Sequence, residues 1–313
     1  MPQRTDEDSN ESDQHASSPR ERRRTLARAR ALSPGLYIVA TPIGNLGDMS
    51  DRARDTLAAA DVIACEDTRV TARLLTAFGI KRRTLRYDEH TAERIGAVLI
   101  ERLKHGEVVA LASDAGLPLV SDPGQRLVRA VVAAGIPVTV VPGPSAPLAA
   151  LVVSGLPPEP FFFAGFLPTK GAARRAALDR FAGIPATLVF LEAPQRLAES
   201  LADIAAVLGP REAAVARELT KLHEEVRRGT PAELAAHYEA APPKGEIVIV
   251  VGPPQADAAE QQAERRAGLD ERLRAALATR SVRDAAAEVA AATGLPRREV
   301  YARALQLARD ADG

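Results

Sequence analysis

What most limits the folds open to this chain is a rhythm. Short apolar runs rich in Val and Ile alternate with longer stretches of helical period, and several of the runs end in loops of Gly, Pro and small polar residues. Strands that alternate with helices return to the same end of a sheet, and they build a mostly parallel sheet covered on both faces. The pattern predicts strands at 36–40, 62–66, 84–87, 108–113 and 138–141. Between and after them it predicts helices at 50–60, 68–78, 91–105, 123–134 and 145–154, with Ser50 as an N-cap.

The rhythm breaks at Gly155-Leu156-Pro157-Pro158, with Pro160 following. Prolines stop a helix and cannot pair in a central strand, so a domain boundary belongs here. A second cycle reads strand 161–166, helix 172–181, strand 187–192, helix 195–208, strand 213–217, helix 231–240 and strand 246–251. A helical end follows at 260–278, 282–292 and 297–308, its last two helices forming a helix-turn-helix-like pair. The expected domains are a disordered tail at 1–33, an α/β domain at 34–156, a second at 157–254 and a helical extension at 260–311.

Composition narrows the function. At 313 residues and 46% hydrophobic, the chain is long enough for two ordinary cores. Equal counts of 41 basic and 41 acidic residues argue against a bulk polyelectrolyte binder and leave room for a local basic groove. With 4% aromatics and no Trp, no base-stacking platform is advertised. Cys65 is the sole cysteine, so zinc ribbons and intrachain disulfides are excluded, and a reducing, cytoplasmic location is expected. No apolar run reaches the roughly 18 residues of a membrane helix, which predicts a soluble protein. The tail joins an acidic, Ser-rich half to a basic one (Arg20, Arg22, Arg23, Arg24, Arg28, Arg30) and lacks a signal-peptide core. It reads as a solvated tail or as an arm toward RNA phosphate.

In open parallel sheets, ligands sit where loops leave the carboxyl ends of strands. Three such loops combine Gly or Pro with a small polar residue: TPIGNLGD (41–48), SDAGLP (113–118) running on to SDPG (121–124), and PGPS (142–145). Backbone can approach a ligand closely there while Asp114 or Ser145 offers a hydrogen bond. No GxGxxG follows the first strand and no GxxxxGK[ST] occurs, which disfavours a dinucleotide site and a P-loop.

The strings LYIVATPIGNLGDMSDRA, ACEDTRVTARLL, YDEH, LASDAGLPLVSDPG, VPGPSA, FAGFLPTKG, LEAPQRLAESL, VARELTKLHEEVRRGT and KGEIVIVVGP carry a resemblance over residues 36–253. In them the chain resembles the bacterial 16S ribosomal RNA small-subunit methyltransferase I family, within the tetrapyrrole-methylase superfamily. EDTR and ELTKLHEE resemble the ribosomal branch more than the porphyrinoid one. The resemblance implies an α/β fold of two mostly parallel sheets with the cofactor cleft between them, plus the helical extension. It implies S-adenosylmethionine-dependent 2′-O-methylation of a decoding-region cytidine in 16S rRNA of the 30S subunit, by a homodimer needing neither metal nor membrane. It places Pro42, Gly44, Asn45, Ser113, Asp114, Ala115, Gly116, Pro142, Gly143 and Ser145 at the cofactor. Three positions depart from the family: Leu117 for Thr, Gln195 for His and Thr91 for Asn.

A ribose hydroxyl is a poor nucleophile at neutral pH, so a group within hydrogen-bond reach must take its proton. The candidates are Glu66 and Asp67 in EDTR, His90 after Glu89 in YDEH, Glu192, and Lys221 in ELTKLHEE beside Glu218 and His223; Glu66, Asp67, His90 and Lys221 are the catalytic candidates. Asp114 is expected to fix the cofactor rather than act as a base. The plainer alternative makes Glu66 with Arg69, and Arg217 with Glu218, ion pairs that set interdomain geometry. Arg69, Lys170, Arg196, Arg217 and Glu218 are the expected substrate contacts, with Arg174, Arg175, Lys221, Arg227 and Arg228 as further phosphate candidates. Two rivals stand: a porphyrinoid-type methyltransferase with a deep, anion-binding pocket, and a ligand-sensing regulator that reads nucleic acid with its C-terminal helices.

Overall fold

The computed structural model describes residues 32–254, 258–293 and 297–311. The tail expected at 1–33 lies outside the described residues up to position 31.

The first lobe is a five-stranded parallel sheet in the order β3-β2-β4-β1-β5. Its strands are β1 Gly35–Val39, β2 Val62–Cys65, β3 Thr84–Arg86, β4 Val108–Ala112 and β5 Val138–Val141. The helices are α1 Asp51–Ala59, α2 Thr68–Ala77, α3 Ala92–Lys104, α4 Gln125–Ala133 and α5 Ala146–Ser154. Leu36, Ile38, Val62, Ala64, Val109 and Leu111 join one core; Tyr37, Val39, Ile63, Val108 and Ala110 join the other. Alternate residues therefore feed opposite faces, as the strand period requires, and both faces are covered. Ser50 caps α1 as expected, its hydroxyl accepting from Ala53 N at 3.1 Å.

The second lobe contains β6 Phe161–Phe166, β7 Thr187–Glu192, β8 Ala213–Arg217, β9 Glu225–Gly229 and β10 Ile247–Val251. Its helices are α6 Gly171–Phe181, α7 Leu197–Leu208 and α8 Pro231–Ala240, and the sheet order is β6-β7-β10-β8-β9. The expectation of a second mostly parallel sheet is corrected here. Only β6 and β7 pair in parallel, while β7–β10, β10–β8 and β8–β9 are antiparallel. The cause is β9, which the sequence pattern missed because EVRRG is a polar, partly exposed edge strand without an apolar run. Its hairpin with β8 reverses the chain, so β10 re-enters the sheet in the opposite direction.

Helix α5 joins the lobes. It ends at Gly155, whose left-handed φ of 81° turns the chain out of the helix. Its Ala150 and Leu151 pack in one core with Val189, Ala214, Ala216 and Val248 of the second sheet and with Ile43 of the first lobe. Arg228 donates to the carbonyls of Val153 and Ser154 at the helix end, the latter at 2.7 Å. Both lobes belong to one compact unit that ends at Gly252, and the residues beyond form another. That second unit holds α9 Ala258–Leu277, α10 Val282–Thr293 and α11 Arg297–Ala311, packed around Leu273, Ala286, Val289, Val300, Ala304 and Leu307. Asp270 and Arg303 tie α9 to α11 through charged hydrogen bonds of 2.6 and 2.7 Å.

Candidate active site

Two cavities open where the lobes meet. The larger, of about 350 Å³, is a cleft between the loops after β4 and β5 and the face of the second sheet. Ile43, Leu117, Val120, Phe166, Leu191, Leu219 and Val248 make it largely apolar, and its charged residues are Asp122, Glu192 and Glu246, without a Lys, Arg or His. The smaller, of about 320 Å³, lies between the loop after β1 and α2, lined by Pro42, Gly44, Leu46, Val70, Arg73, Leu74, Ser113, Asp114 and Lys221 among others. Ile43, Ala115 and Glu246 line both, so the cavities are neighbours across a thin wall.

Backbone strain is concentrated at this place. Among the described residues, the non-glycine residues with positive φ are Leu119, Ser121, Glu218 and Thr220. The first two hold the loop after β4 around Asp122, and the others hold the turn between β8 and β9. Such conformations cost about 1–3 kcal/mol each and persist where the surroundings over-determine them. Gly116 is needed in the same loop: its φ is 79°, and a Cβ there would meet Ile43 Cγ2 at 3.1 Å and the Pro144 carbonyl at 3.2 Å.

The sequence-predicted residues divide between these cavities and their surroundings. Ala115, Gly116 and Ser145 line the cleft, while Pro42, Gly44, Ser113, Asp114, Ala115 and Lys221 line the second cavity. Asn45 lines neither and caps the one-turn helix Leu46–Asp48, accepting from Gly47 N at 2.9 Å. Pro142 and Gly143 also lie outside both linings, and a Cβ at Gly143 would stand 2.8 Å from that of Ala40. Leu117, one of the family departures, lines the cleft and packs on the first core. Thr91, another, makes a tight turn with Asp88, whose Oδ1 accepts from Thr91 N at 2.8 Å. Gln195 is exposed.

The catalytic candidates separate by environment. Hydrogen bonds from the Arg69 side chain and backbone hold Asp67 well below the usual carboxylate range, and its carboxylate caps α2. Burial alone would lower the Lys221 ammonium, but its bonds to Glu218 at 2.9 Å and Glu246 at 3.3 Å outweigh that and hold it above its ordinary value. His90 lies in an exposed turn. Glu66, at the end of β2, is raised by burial and then by Asp114, Asp88, Asp67 and Glu89. The ion pairs also differ from those expected: Arg69 pairs with Asp67 rather than Glu66, and Arg217 with Glu225 rather than Glu218.

Several expected phosphate contacts turn inward. Arg174 is 1% exposed and bonds Asp203 at 2.6 Å, with Arg175 on the other oxygen at 2.9 Å. Arg196 bonds the buried Glu192 at 2.5 Å. Glu192 is spent on that pair, on Ala193 N and on the Ser200 hydroxyl. Lys170 and Arg69 remain exposed, and Glu218 accepts from Glu246 N at 2.9 Å while pairing with Lys221.

The residue that sequence reasoning missed is Asp122. It lines the cleft, and one of its carboxylate oxygens is buried without a hydrogen-bond partner. Burial, then the charges of Glu66 and Asp114, push its carboxyl up to about 6, against a small opposing pull from the Ser113 hydroxyl. The one signal in the sequence was its place in SDPG, on the loop already singled out.

Comparison with known proteins extends this geometry to lineage. The family described as Tetrapyrrole (Corrin/Porphyrin) Methylases matches residues 35–235, and the RsmI C-terminal HTH domain matches residues 263–308. A Mesorhizobium japonicum protein named ribosomal RNA small subunit methyltransferase I is 53% identical over 287 residues, covering 91% of this chain and 96% of that relative. An Erythrobacter litoralis protein of the same name is 53% identical over 279 residues, covering 89% and 97%. Among solved structures, a diphthine synthase shares the fold with a TM-score of 0.54 at 16% identity, over 69% of this chain and 89% of that one.

Proposed function

This chain belongs to the ribosomal RNA small subunit methyltransferase I family, and from that premise we propose that it methylates the 2′-hydroxyl of a decoding-region cytidine in 16S rRNA of the 30S subunit. S-adenosylmethionine is the methyl donor, and when bound it supplies a methyl carbon activated by a cationic sulfonium.

The observation that carries the reading is the charge of the cleft. Its lining holds three carboxylates and no cation, on otherwise apolar walls of adenosine-like size. Glu192 and Glu246 are paired with Arg196 and Lys221, which leaves Asp122 as the unpaired charge, so the cleft suits a cationic donor and offers no free cation to the polyphosphate of common nucleotide cofactors. It equally disfavours the polycarboxylate substrates of a porphyrinoid enzyme, whose pocket should be rich in basic side chains. In this reading Gly116 lets backbone approach the donor, Ser145 offers a hydroxyl at the start of α5, and Asp114 orients the loop by accepting from Asp67 N at 3.2 Å. The second cavity, with Arg73 and Lys221 at its rim, takes the nucleotide. Positioning the 2′-oxygen about 3 Å from the methyl carbon supplies much of the rate.

Homodimerisation is part of the same proposal. Exposed apolar side chains stand on the edge strands and on α5: Val140 at 51%, Val152 at 77% and Phe166 at 56% exposed. A second copy would bury them.

The test is incubation with radiolabelled donor and 30S subunits lacking the modification, beside naked 16S rRNA and a porphyrinoid substrate. The expected result is label in subunit RNA, at one ribose and resistant to alkali. Label only in the porphyrinoid, or none despite donor binding, overturns the reading.

A further inference from the structure

A group that takes the hydroxyl proton must be a proton acceptor at the cleft that other side chains leave uncommitted. Glu192 spends both oxygens on Arg196, Ala193 N and Ser200. Glu246 is 67% exposed and paired with Lys221. Asp114 accepts from Asp67 N, and Asp67 is bound to Arg69. Lys221 holds its proton between two carboxylates. Asp122 alone brings to the cleft lining a buried carboxylate oxygen with no partner among the described residues.

Its position suits the task. Leu119 and Ser121, both at positive φ, precede it in the loop, so the strained backbone leads directly into this side chain. Asp122 lines the larger cavity, and the Ser113 hydroxyl beside it lines the second, so Asp122 stands one side chain away from the second cavity. An orphaned buried oxygen costs about 1–3 kcal/mol and calls for a donor from outside the protein.

We propose that Asp122 is the general base of the methyl transfer, its free carboxylate oxygen accepting the proton of the acceptor 2′-hydroxyl. This rests on the substrate reading above. The O–H bond breaks and its proton passes to Asp122. The 2′-oxygen forms the new C–O bond, and the donor's C–S bond breaks with its electron pair going to sulfur, leaving a neutral thioether. The proton then leaves Asp122 to water.

The groups that face Asp122 are the Glu66 and Asp114 carboxylates and the Ser113 hydroxyl. The two carboxylates disfavour its ionised form, and with burial they place it near neutrality, where a base works best.

The test compares wild type, Asp122→Asn and Asp122→Glu in single-turnover methylation of unmodified 30S subunits from pH 5 to 9. Calorimetric binding of S-adenosylhomocysteine is measured on each. The wild-type rate is expected to rise tenfold per pH unit and level off above about pH 6. Asp122→Asn is expected to lose about 100-fold or more and to lose that limb, with S-adenosylhomocysteine binding within about threefold of wild type. Asp122→Glu should restore part of the rate with a shifted midpoint. An Asp122→Asn rate within about threefold of wild type overturns the proposal alone, as does a loss of S-adenosylhomocysteine binding that matches the loss of rate. A wild-type protein that binds S-adenosylhomocysteine and labels no subunit overturns the substrate reading and this proposal with it.

Discussion

The Lys221 side chain lies across Gly44: a Cβ on that glycine would come within 2.5 Å of Lys221 Cγ and 3.0 Å of Thr220 Oγ1. The turn after β8 in the second lobe is thereby seated on the loop after β1 in the first, and only a residue without a side chain permits it. Glu218 and Glu246 hold the ammonium in place.

Gly44→Ala pushes Lys221 off this seat and widens the second cavity. Because the clash is with the near end of the lysine, a terminal rotation cannot relieve it. Subunit methylation is expected to fall about tenfold or more while the circular dichroism spectrum stays native, since small misplacements at a reacting site are costly. Wild-type rates in this variant would mean that the contact has no part in turnover.

Asp122→Asn is expected to stabilise the fold at alkaline pH. The folded carboxyl titrates near 6, above its ordinary value, so the native chain binds more protons than the unfolded one between those values. Stability therefore falls as pH rises through that window. After a discount for partial solvation, the variant should gain about 1 kcal/mol at pH 8 and nothing below about pH 4. Urea unfolding at the two pH values checks this.

Arg174→Ala removes the buried partner of Asp203 and leaves that carboxylate to the half-exposed Arg175 alone. A loss of about 3 kcal/mol, the low end for a broken buried pair, is expected in denaturant unfolding. Were Arg174 an RNA contact instead, stability would hold and subunit affinity would drop.

Lys170 is exposed at the start of α6 and makes no ion pair among the described residues. If it meets a ribosomal RNA phosphate, Lys170→Ala should weaken subunit binding and lower the slope of log K against log salt by about 1. An unchanged slope would remove it from the interface.

Val152→Glu places a charge on the exposed face of α5. Light scattering is expected to give a dimer mass for wild type and a monomer mass for the variant. A monomeric wild type would instead leave these apolar side chains to solvent.

The strand and helix rhythm, the caps at Ser50 and the break at Gly155 were legible in the sequence because they depend on neighbours within a turn or a pleat. The loops at the cavities were legible for a related reason: Gly, Pro and small polar residues follow β1, β4 and β5, and chain order in a parallel sheet sends those ends to one edge. β9 was not legible. EVRRG has no apolar face of its own and becomes a strand only by pairing with β8.

Side-chain environment was decided by the tertiary structure alone. Arg174 reads as one of several surface cations until α6 and α7 bring it against Asp203. Asp67 and Asp122 are the same residue type on neighbouring loops, yet the first is held low by Arg69 and the second is raised by burial beside Glu66 and Asp114. Periodicity and turn chemistry are short-range and can be read along the chain. Desolvation and charge proximity are sums over residues far apart in sequence, and they take a value only once the fold has brought those residues together.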